Sequence, residues 1–248
     1  MIYILRVLGF LAAVLAGLLT IFFAAVVMLL IFVGLRSKID YFIHKWAVIV
    51  NFLARAEVHG SGNENEPNEP CLFVFNHVSL IDIPVALAVI KKMIRFGAKK
   101  ELFMIPVFGQ AMHLAGVLRI NRGNRNSAIS TLKKAHGRIT ETGQSFILAA
   151  EGTRMSENKL GDFKSGPFVL AIDSQCLLVP VVIYGAYNVM PKKDLYFRLE
   201  KKHKVFVEIL PPIDTKQYTF EDRHEVKKMV RNQMSEAFER LKKLDSHR

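Results

Sequence analysis

Cys71-Leu72-Phe73-Val74-Phe75-Asn76-His77-Val78-Ser79-Leu80-Ile81-Asp82-Ile83-Pro84 is the stretch on which the fold turns. It begins as a short unbroken apolar run, the signature of a strand buried on both faces. Its character then changes: Asn76, His77 and Ser79 make a polar exit, and Asp82 with Pro84 opens a helical pattern over Ile83-Lys91. The same alternation recurs outward in both directions. Upstream, a strand near Ala56-His59 is separated from it by the loop-forming run Gly60-Ser-Gly-Asn-Glu-Asn-Glu-Pro-Asn-Glu-Pro70. Downstream, apolar runs at Met93-Phe96, Gly116-Ile120, Phe146-Ala150, Leu177-Tyr184 and Val205-Leu210 alternate with helical patterns at Ser127-Thr142 and Phe168-Asp173. This alternation predicts an α/β domain over residues 55–248, a mixed and mostly parallel sheet flanked by helices. A last helix opens at Thr219-Phe-Glu-Asp222 with capping-box spacing and places Val226, Met229, Val230, Phe238 and Leu241 on one face.

Ahead of this domain the chain carries no charged residue from Val7 to Leu35, a run long enough as a helix to exceed a hydrocarbon core of about 30 Å. A cleaved leader would have a shorter apolar region ending in small residues, and no such ending is present. Arg36 and Lys38 follow, then Ile39 to Ala54 mixes Tyr41, Phe42 and Trp46 with His44 and Lys45, as segments at a membrane interface do. Residues 1–54 are therefore expected to form a two-helix membrane module, with the basic side cytoplasmic. Whether the first helix spans or stays in one leaflet is open at this level.

Over 248 residues, 34 basic against 22 acidic side chains leave a formal charge of +12, which suits a polyanionic partner without choosing among nucleic acid, anionic lipid and phosphorylated ligands. The basic pairs Lys192-Lys193 and Lys201-Lys202 could add attraction to an anionic leaflet or be ordinary surface charge. Cys71 and Cys176 lie inside apolar runs, as buried free thiols do. Nothing resembles a Gly-x-Ser-x-Gly elbow, a His-Glu-x-x-His zinc site, or a basic-aromatic stacking block for nucleic acid.

Three segments carry groups that could do chemistry. His77 and Asp82, five positions apart, cannot stack on one helix face, since five residues turn a helix through about 500 degrees. They can meet if His77 precedes the helix, and Asp82 would then fix the imidazole tautomer and leave the other nitrogen as a base. Equally, Asp82 could simply cap the helix with Ser79 in a capping box. In Gly116-Val-Leu-Arg119-Ile-Asn-Arg122-Gly, strand alternation sends the two arginines to opposite faces, and Arg122 at the strand end is the better candidate for a phosphate. Phe146-Ile-Leu-Ala-Ala-Glu151-Gly152-Thr153-Arg154 ends a strand in a carboxylate, a glycine, a hydroxyl and a guanidinium, which could meet a phosphate or form only a local ion pair. Lys99 and Lys164 are further cations in the pool.

In this order the blocks resemble the membrane glycerophospholipid acyltransferases, and most closely the bacterial 1-acylglycerol-3-phosphate acyltransferases. Asn76-His77-Val78-Ser79-Leu80-Ile81-Asp82 is similar to the family's Asn-His-Gln-Ser-x-x-Asp block, Gly116 to Arg122 to its second block, Ala150-Glu151-Gly152-Thr153-Arg154 to Pro-Glu-Gly-Thr-Arg, and Leu178-Val179-Pro180-Val181 to its fourth. Ala98-Lys99-Lys100-Glu101-Leu102 and Phe163-Lys164-Ser165-Gly166 match flanking segments. Val78, Asn121 and Ala150 depart from the pattern without removing a proton-transferring or phosphate-binding group.

The resemblance implies catalysis by His77 and Asp82, with Lys99, Arg122, Glu151, Gly152, Thr153, Arg154 and Lys164 binding substrate. It implies direct acyl transfer from acyl-CoA or acyl-carrier protein to lysophosphatidic acid, giving phosphatidic acid. Glycerol 3-phosphate or another lyso-lipid is the alternative acceptor. It further implies no metal or cofactor beyond the donor, membrane lipids as partners, no nucleic acid, and a bacterial inner membrane with the catalytic domain on the cytoplasmic side.

Overall fold

The computed structural model describes residues 2–246, with Arg125 described by its backbone alone. Two helices, α1 (Ile2–Phe32) and α2 (Ile39–Leu53), precede β1 (Ala56–Ser61), β2 (Cys71–Phe75), α3 (Asp82–Val89), β3 (Ile94–Lys99), α4 (Phe108–Ala115) and β4 (Leu118–Ile120). The chain continues through α5 (Arg125–Thr142), β5 (Ser145–Ala149), α6 (Gly166–Asp173), β6 (Leu177–Tyr184), α7 (Ala186–Val189), β7 (His203–Ile209), β8 (Ile213–Asp214) and α8 (Arg223–Ser246). One sheet runs in the order β1-β7-β6-β2-β5-β3-β4, with β8 beside β6. The pairs β2·β5, β2·β6, β3·β4, β3·β5 and β1·β7 are parallel; β6 meets β7 and β8 antiparallel. This is the mixed, mostly parallel sheet that the alternation predicts.

Sheet and helices join because β2 is buried on both faces. Leu72 and Val74 enter a core shared with Ala135 and Ile139 of α5, Phe168 and Leu170 of α6, and Val226, Val230 and Met234 of α8. Cys71, Phe73 and Phe75 face the other way, onto Ala47 and Val50 of α2 and Val85 and Ala86 of α3. Each fully buried Leu, Ile, Val or Phe here contributes roughly 1.5–3 kcal/mol, and with helices on both faces no strand can slip register without exposing one core to water. The two cysteines end up in opposite cores, both free. Burial pushes the Cys71 thiol up to about 11 and the Cys176 thiol to about 12, which makes them inert packing groups.

Several expectations change in detail. The strand predicted over Gly116-Ile120 shortens to β4, because Gly116, at φ 89, is the left-handed cap of α4. Nothing in the sequence anticipates α4 itself: eight residues are too few to display a period, and it starts from a tight turn in which Val107 holds φ 67 while Phe108 N–H donates to the Pro106 carbonyl at 2.7 Å. In α8 the predicted Met229 is only half-buried, and Met234, further along the helix, fills the core position. The capping box at Thr219 and Asp222 forms as its spacing requires.

The two-helix membrane module needs correction. Among the described residues only α1 is long and apolar enough to cross a membrane. The second helix, α2, has 15 residues, and it packs into the domain: Ile39, Ala47, Val50 and Asn51 are buried, and Asn51 donates to the Pro84 carbonyl at 3.1 Å. Asp40, in its first turn, is tied to Arg95 of β3 at 2.5 Å. Anchored by polar contacts at both ends, α2 belongs to the folded body.

Candidate active site

At the exit of β2 the Asn76 side chain behaves like one more strand residue. Its amide donates to the Ile183 carbonyl at 2.8 Å and accepts from the Ile183 N–H at 2.8 Å. The β2–β6 pairing therefore continues past the last strand residue, and His77 leaves from a fixed point. Its backbone is gripped on both sides, the N–H by Glu151 Oε2 at 3.1 Å and the carbonyl by the Met155 N–H at 2.7 Å.

Asp82 is the first residue of α3 and is fully buried, while the His77 side chain is 12 % exposed. One oxygen, Oδ2, accepts from His77 Nδ1 at 2.7 Å, from Val78 N–H at 2.7 Å and from Ser79 N–H at 2.8 Å. The orienting reading of Asp82 therefore holds, while the helix-capping one does not: α3 has Ile81 at its N-cap with no side-chain cap bond, and Asp82 accepts from amides that precede the helix. It satisfies two backbone donors ahead of the helix, and by accepting from Nδ1 it sets the tautomer that leaves Nε2 with a lone pair. Ser79, itself buried, donates its hydroxyl to the Met190 carbonyl at 2.7 Å and accepts from Ile81 N–H at 3.3 Å. A serine so engaged is a structural tie and not a nucleophile.

Glu151, expected at the substrate site, is placed by the structure against backbone amides. It is 2 % exposed, and besides His77 N–H it accepts from the Gly161 N–H at 3.5 Å. Burial, reinforced by the charge of Asp82, pushes its carboxyl up to about 7 against the lowering effect of these amide donors. Both of its oxygens thus face backbone amides, one of them that of His77.

Arg122 is exposed in the turn after β4, and Arg154 is half-buried in the turn after β5. Burial lowers the pKa of both Arg122 and Arg154, and each feels a specific neighbour: Arg122 feels Arg154 and Glu101, while Arg154 feels Asp82. The argument from strand alternation does not survive, because β4 ends at Ile120 and Arg122 sits in the following turn, where Asn124 N–H donates to the Asn121 carbonyl at 3.3 Å. Arg119 instead lies over the Phe103 ring at 6.0 Å. Lys99 pairs with Glu101 at 3.6 Å, so part of its charge is already matched. Thr153 and Lys164 are exposed beyond the end of β5. Gly152 has φ 68, and a Cβ there would stand 3.2 Å from the Lys164 stem, so the turn that swings Arg154 toward Asp82 depends on glycine.

One imidazole with a fixed tautomer, steadied by a carboxylate, can remove a proton from a hydroxyl, and arginines in the neighbouring turns are of the kind that bind phosphate. The apolar cavity of about 70 Å³ between α1, α2 and α4, lined by Phe23, Trp46, Phe96 and Met112 among others, shares no residue with this site.

Comparison with known proteins agrees in extent and kind. The sequence profile of the acyltransferase family matches residues 55–184, which contain His77, Asp82, Arg122 and Arg154. A chloroplastic 1-acyl-sn-glycerol-3-phosphate acyltransferase of Brassica napus is 33% identical over 65% of this chain and 47% of its own length. The Escherichia coli protein described as 1-acyl-sn-glycerol-3-phosphate acyltransferase is 31% identical over 69% of this chain and 68% of its own. The chain spans about half the length of the plant and algal relatives that it matches. The crystal structure of the 1-acyl-sn-glycerophosphate (LPA) acyltransferase PlsC from Thermotoga maritima superposes with a TM-score of 0.84 at 26% identity, covering 98% of each chain. Site, sheet and sequence agree, and the chain belongs to the acyltransferase family.

Proposed function

We propose that this chain transfers a fatty acyl group from a thioester, acyl-CoA or acyl-carrier protein, to the free hydroxyl of 1-acylglycerol 3-phosphate at a membrane surface, giving phosphatidic acid. The observation that carries the reading is the 2.7 Å contact between His77 Nδ1 and Asp82 Oδ2, which leaves Nε2 as the base. In this mechanism Nε2 takes the acceptor's hydroxyl proton as that oxygen attacks the thioester carbonyl. The carboxylate of Asp82 stabilises the imidazolium as it forms. Collapse of the tetrahedral adduct breaks the carbon–sulfur bond, and the departing thiolate recovers the proton from His77. Arg122 and Arg154, with Lys99, Thr153 and Lys164 at the rim, hold the phosphate and so place the hydroxyl, a gain from positioning. The buried, engaged Ser79 fits direct transfer without an acyl-enzyme.

Both lipids of this reaction reside in a bilayer, and α1 supplies contact with one. Its outer side is a row of large exposed apolar residues that includes Tyr3, Phe10, Leu18, Phe22 and Phe32. Its inner side is made of small residues, Gly9, Ala16, Ala24 and Val27, packed on the body. It is held there by Phe197 N–H on the Gly9 carbonyl at 3.2 Å and by Trp46 Nε1 on Thr20 Oγ1 at 2.9 Å. From Gly9 to Val27 the packed face covers about 27 Å of helix. A helix bound to its own domain over most of a bilayer's thickness fits a body that lies against one leaflet; the cytoplasmic side of a bacterial inner membrane is the proposed location.

Purified chain in phospholipid vesicles, given lysophosphatidic acid and acyl-CoA or acyl-carrier protein, should yield phosphatidic acid by mass spectrometry, and His77→Ala should abolish it. Acylation of glycerol 3-phosphate or another lyso-lipid in preference would change the assigned acceptor. Near-normal turnover by His77→Ala would remove the base.

A further inference from the structure

Lys192 stands apart from the lysines of its surface. It follows Pro191, which forms an isolated antiparallel bridge with Ser79, the residue whose hydroxyl holds the Met190 carbonyl. The turn closes when Asp194 N–H donates to the Pro191 carbonyl at 3.0 Å, and Asp194 is in turn bound by Arg198 at 3.1 Å. From this fixed turn the Lys192 ammonium reaches the carbonyl of Arg154 at 2.6 Å. The next amide along, that of Met155, donates to the carbonyl of His77. His77, Ser79, Pro191, Lys192, Arg154 and Met155 thus close a ring of contacts around the base.

An ammonium has three donors, and the Arg154 carbonyl takes one; the side chain is otherwise exposed. The Arg154 charge already stands close enough to Arg122 to disfavour its protonated form. Lys192 thus brings a further cation onto the backbone of Arg154. Several cations suit a group with more than one negative charge, and a phosphate monoester carries about −1.5 to −2 at neutral pH.

We propose that Lys192 is a third cation of the substrate site and binds a phosphate group of a substrate. The inference rests on the acyl-transfer reading above. The phosphate has two possible sources with the same chemistry, the monoester of the lyso-lipid acceptor and the phosphates of the acyl-CoA donor.

The test uses the full chain in vesicles, with wild-type turnover measured first, because its absence would refute acyl transfer itself and not this residue. Lys192→Gln removes the charge and leaves an amide donor on a side chain one atom shorter; Lys192→Arg keeps the charge. Loss of one charge-assisted contact should raise a KM by about tenfold or more. If the phosphate is the acceptor's, Lys192→Gln raises the KM for lysophosphatidic acid, and Lys192→Arg restores it. If it is the donor's, Lys192→Gln raises the KM for acyl-CoA and leaves that for acyl-pantetheine, which lacks the nucleotide phosphates, unchanged. Wild-type KM values for both substrates in Lys192→Gln would overturn the proposal. So would a fall confined to kcat or thermal stability, which marks a purely structural tie.

Discussion

Replacing Asp82 by asparagine separates the charge of the carboxylate from its geometry. Oδ2 accepts three hydrogen bonds, while Oδ1 is buried with no partner among the described residues. The amide introduced by Asp82→Asn has two orientations. With nitrogen in place of Oδ2 it would face three donors; with nitrogen in place of Oδ1 all three bonds survive and only a buried NH2 lacks an acceptor. The second orientation wins, at a stability cost of about 1–3 kcal/mol. The backbone of the turn and the His77 tautomer therefore stay as they are. What disappears is the attraction between a carboxylate and the imidazolium of the transition state. With charge centres about 4 Å apart and an effective dielectric near 20, that is on the order of 4 kcal/mol, or roughly a thousandfold in kcat. Thiol release from acyl-CoA, followed in vesicles at saturating lysophosphatidic acid, gives kcat directly, and thermal unfolding in the same vesicles gives the stability change. A kcat within about tenfold of wild type, in a protein that still folds, would show that the charge of Asp82 does not act on the reacting base.

Glu151→Gln tests the second carboxyl through pH. Its folded pKa of about 7 lies above the ordinary 4.5, so between those values the folded state holds a proton that the unfolded chain has released. Wild-type stability should therefore fall as pH rises through this window, by about 3 kcal/mol in total, and level off above it; Gln, which does not titrate, should lack the slope. Chemical denaturation of both proteins from about pH 5 to 8 reads the difference, and parallel curves would contradict the raised pKa. Gly152→Ala meets a φ of 68 and the Lys164 stem at 3.2 Å, so it should cost about 1–2 kcal/mol in thermal unfolding and raise the KM for the acceptor by displacing Arg154; unchanged values for both would argue against the turn. Gly9→Leu places a Cβ 2.0 Å from the Phe197 carbonyl, so α1 must lift from the body, at a cost of order 1–3 kcal/mol. Limited proteolysis should then cut the segment around Phe197 faster than in wild type, and equal cutting rates would mean that α1 does not depend on this contact.

What could be read from the sequence was whatever a period or a local spacing encodes. The strands β2 and β6 were legible to the residue, since a strand buried on both faces is a bare apolar run with polar ends. His77 and Asp82 were legible as a pair because five residues is a short enough tether for the ring to reach the helix start. The contacts that hold the site together were not. Asn76 meets Ile183 across 107 positions, His77 meets Glu151 across 74, and Lys192 meets Arg154 across 38. Each joins a loop or strand end to a distant segment brought near by the sheet order, and a hydrogen bond over such a separation leaves no periodic mark. The misreading of α2 has a related cause: aromatic and basic residues mixed in an apolar helix look the same whether the helix meets headgroups or a second layer of protein, and only the contacts at Asp40 and Asn51 distinguish them.

The two carboxylates beside His77 make the same point at the scale of one residue. Asp82 and Glu151 are both buried, both within reach of the histidine, and both end a segment whose composition suits a site. Their roles divide according to which atom of His77 each one meets. Asp82 meets the ring, so its charge can change the energy of a protonated imidazole. Glu151 meets the backbone N–H, so it holds the same ring in place whether or not it carries a charge, since a neutral carboxyl still has an oxygen to accept with. The histidine can therefore keep its position on either side of pH 7 while Glu151 titrates, and turnover should show no drop tied to Glu151. An activity profile that drops with the protonation of Glu151, and loses that drop in Glu151→Gln, would show instead that the clamp on the backbone is itself governed by charge.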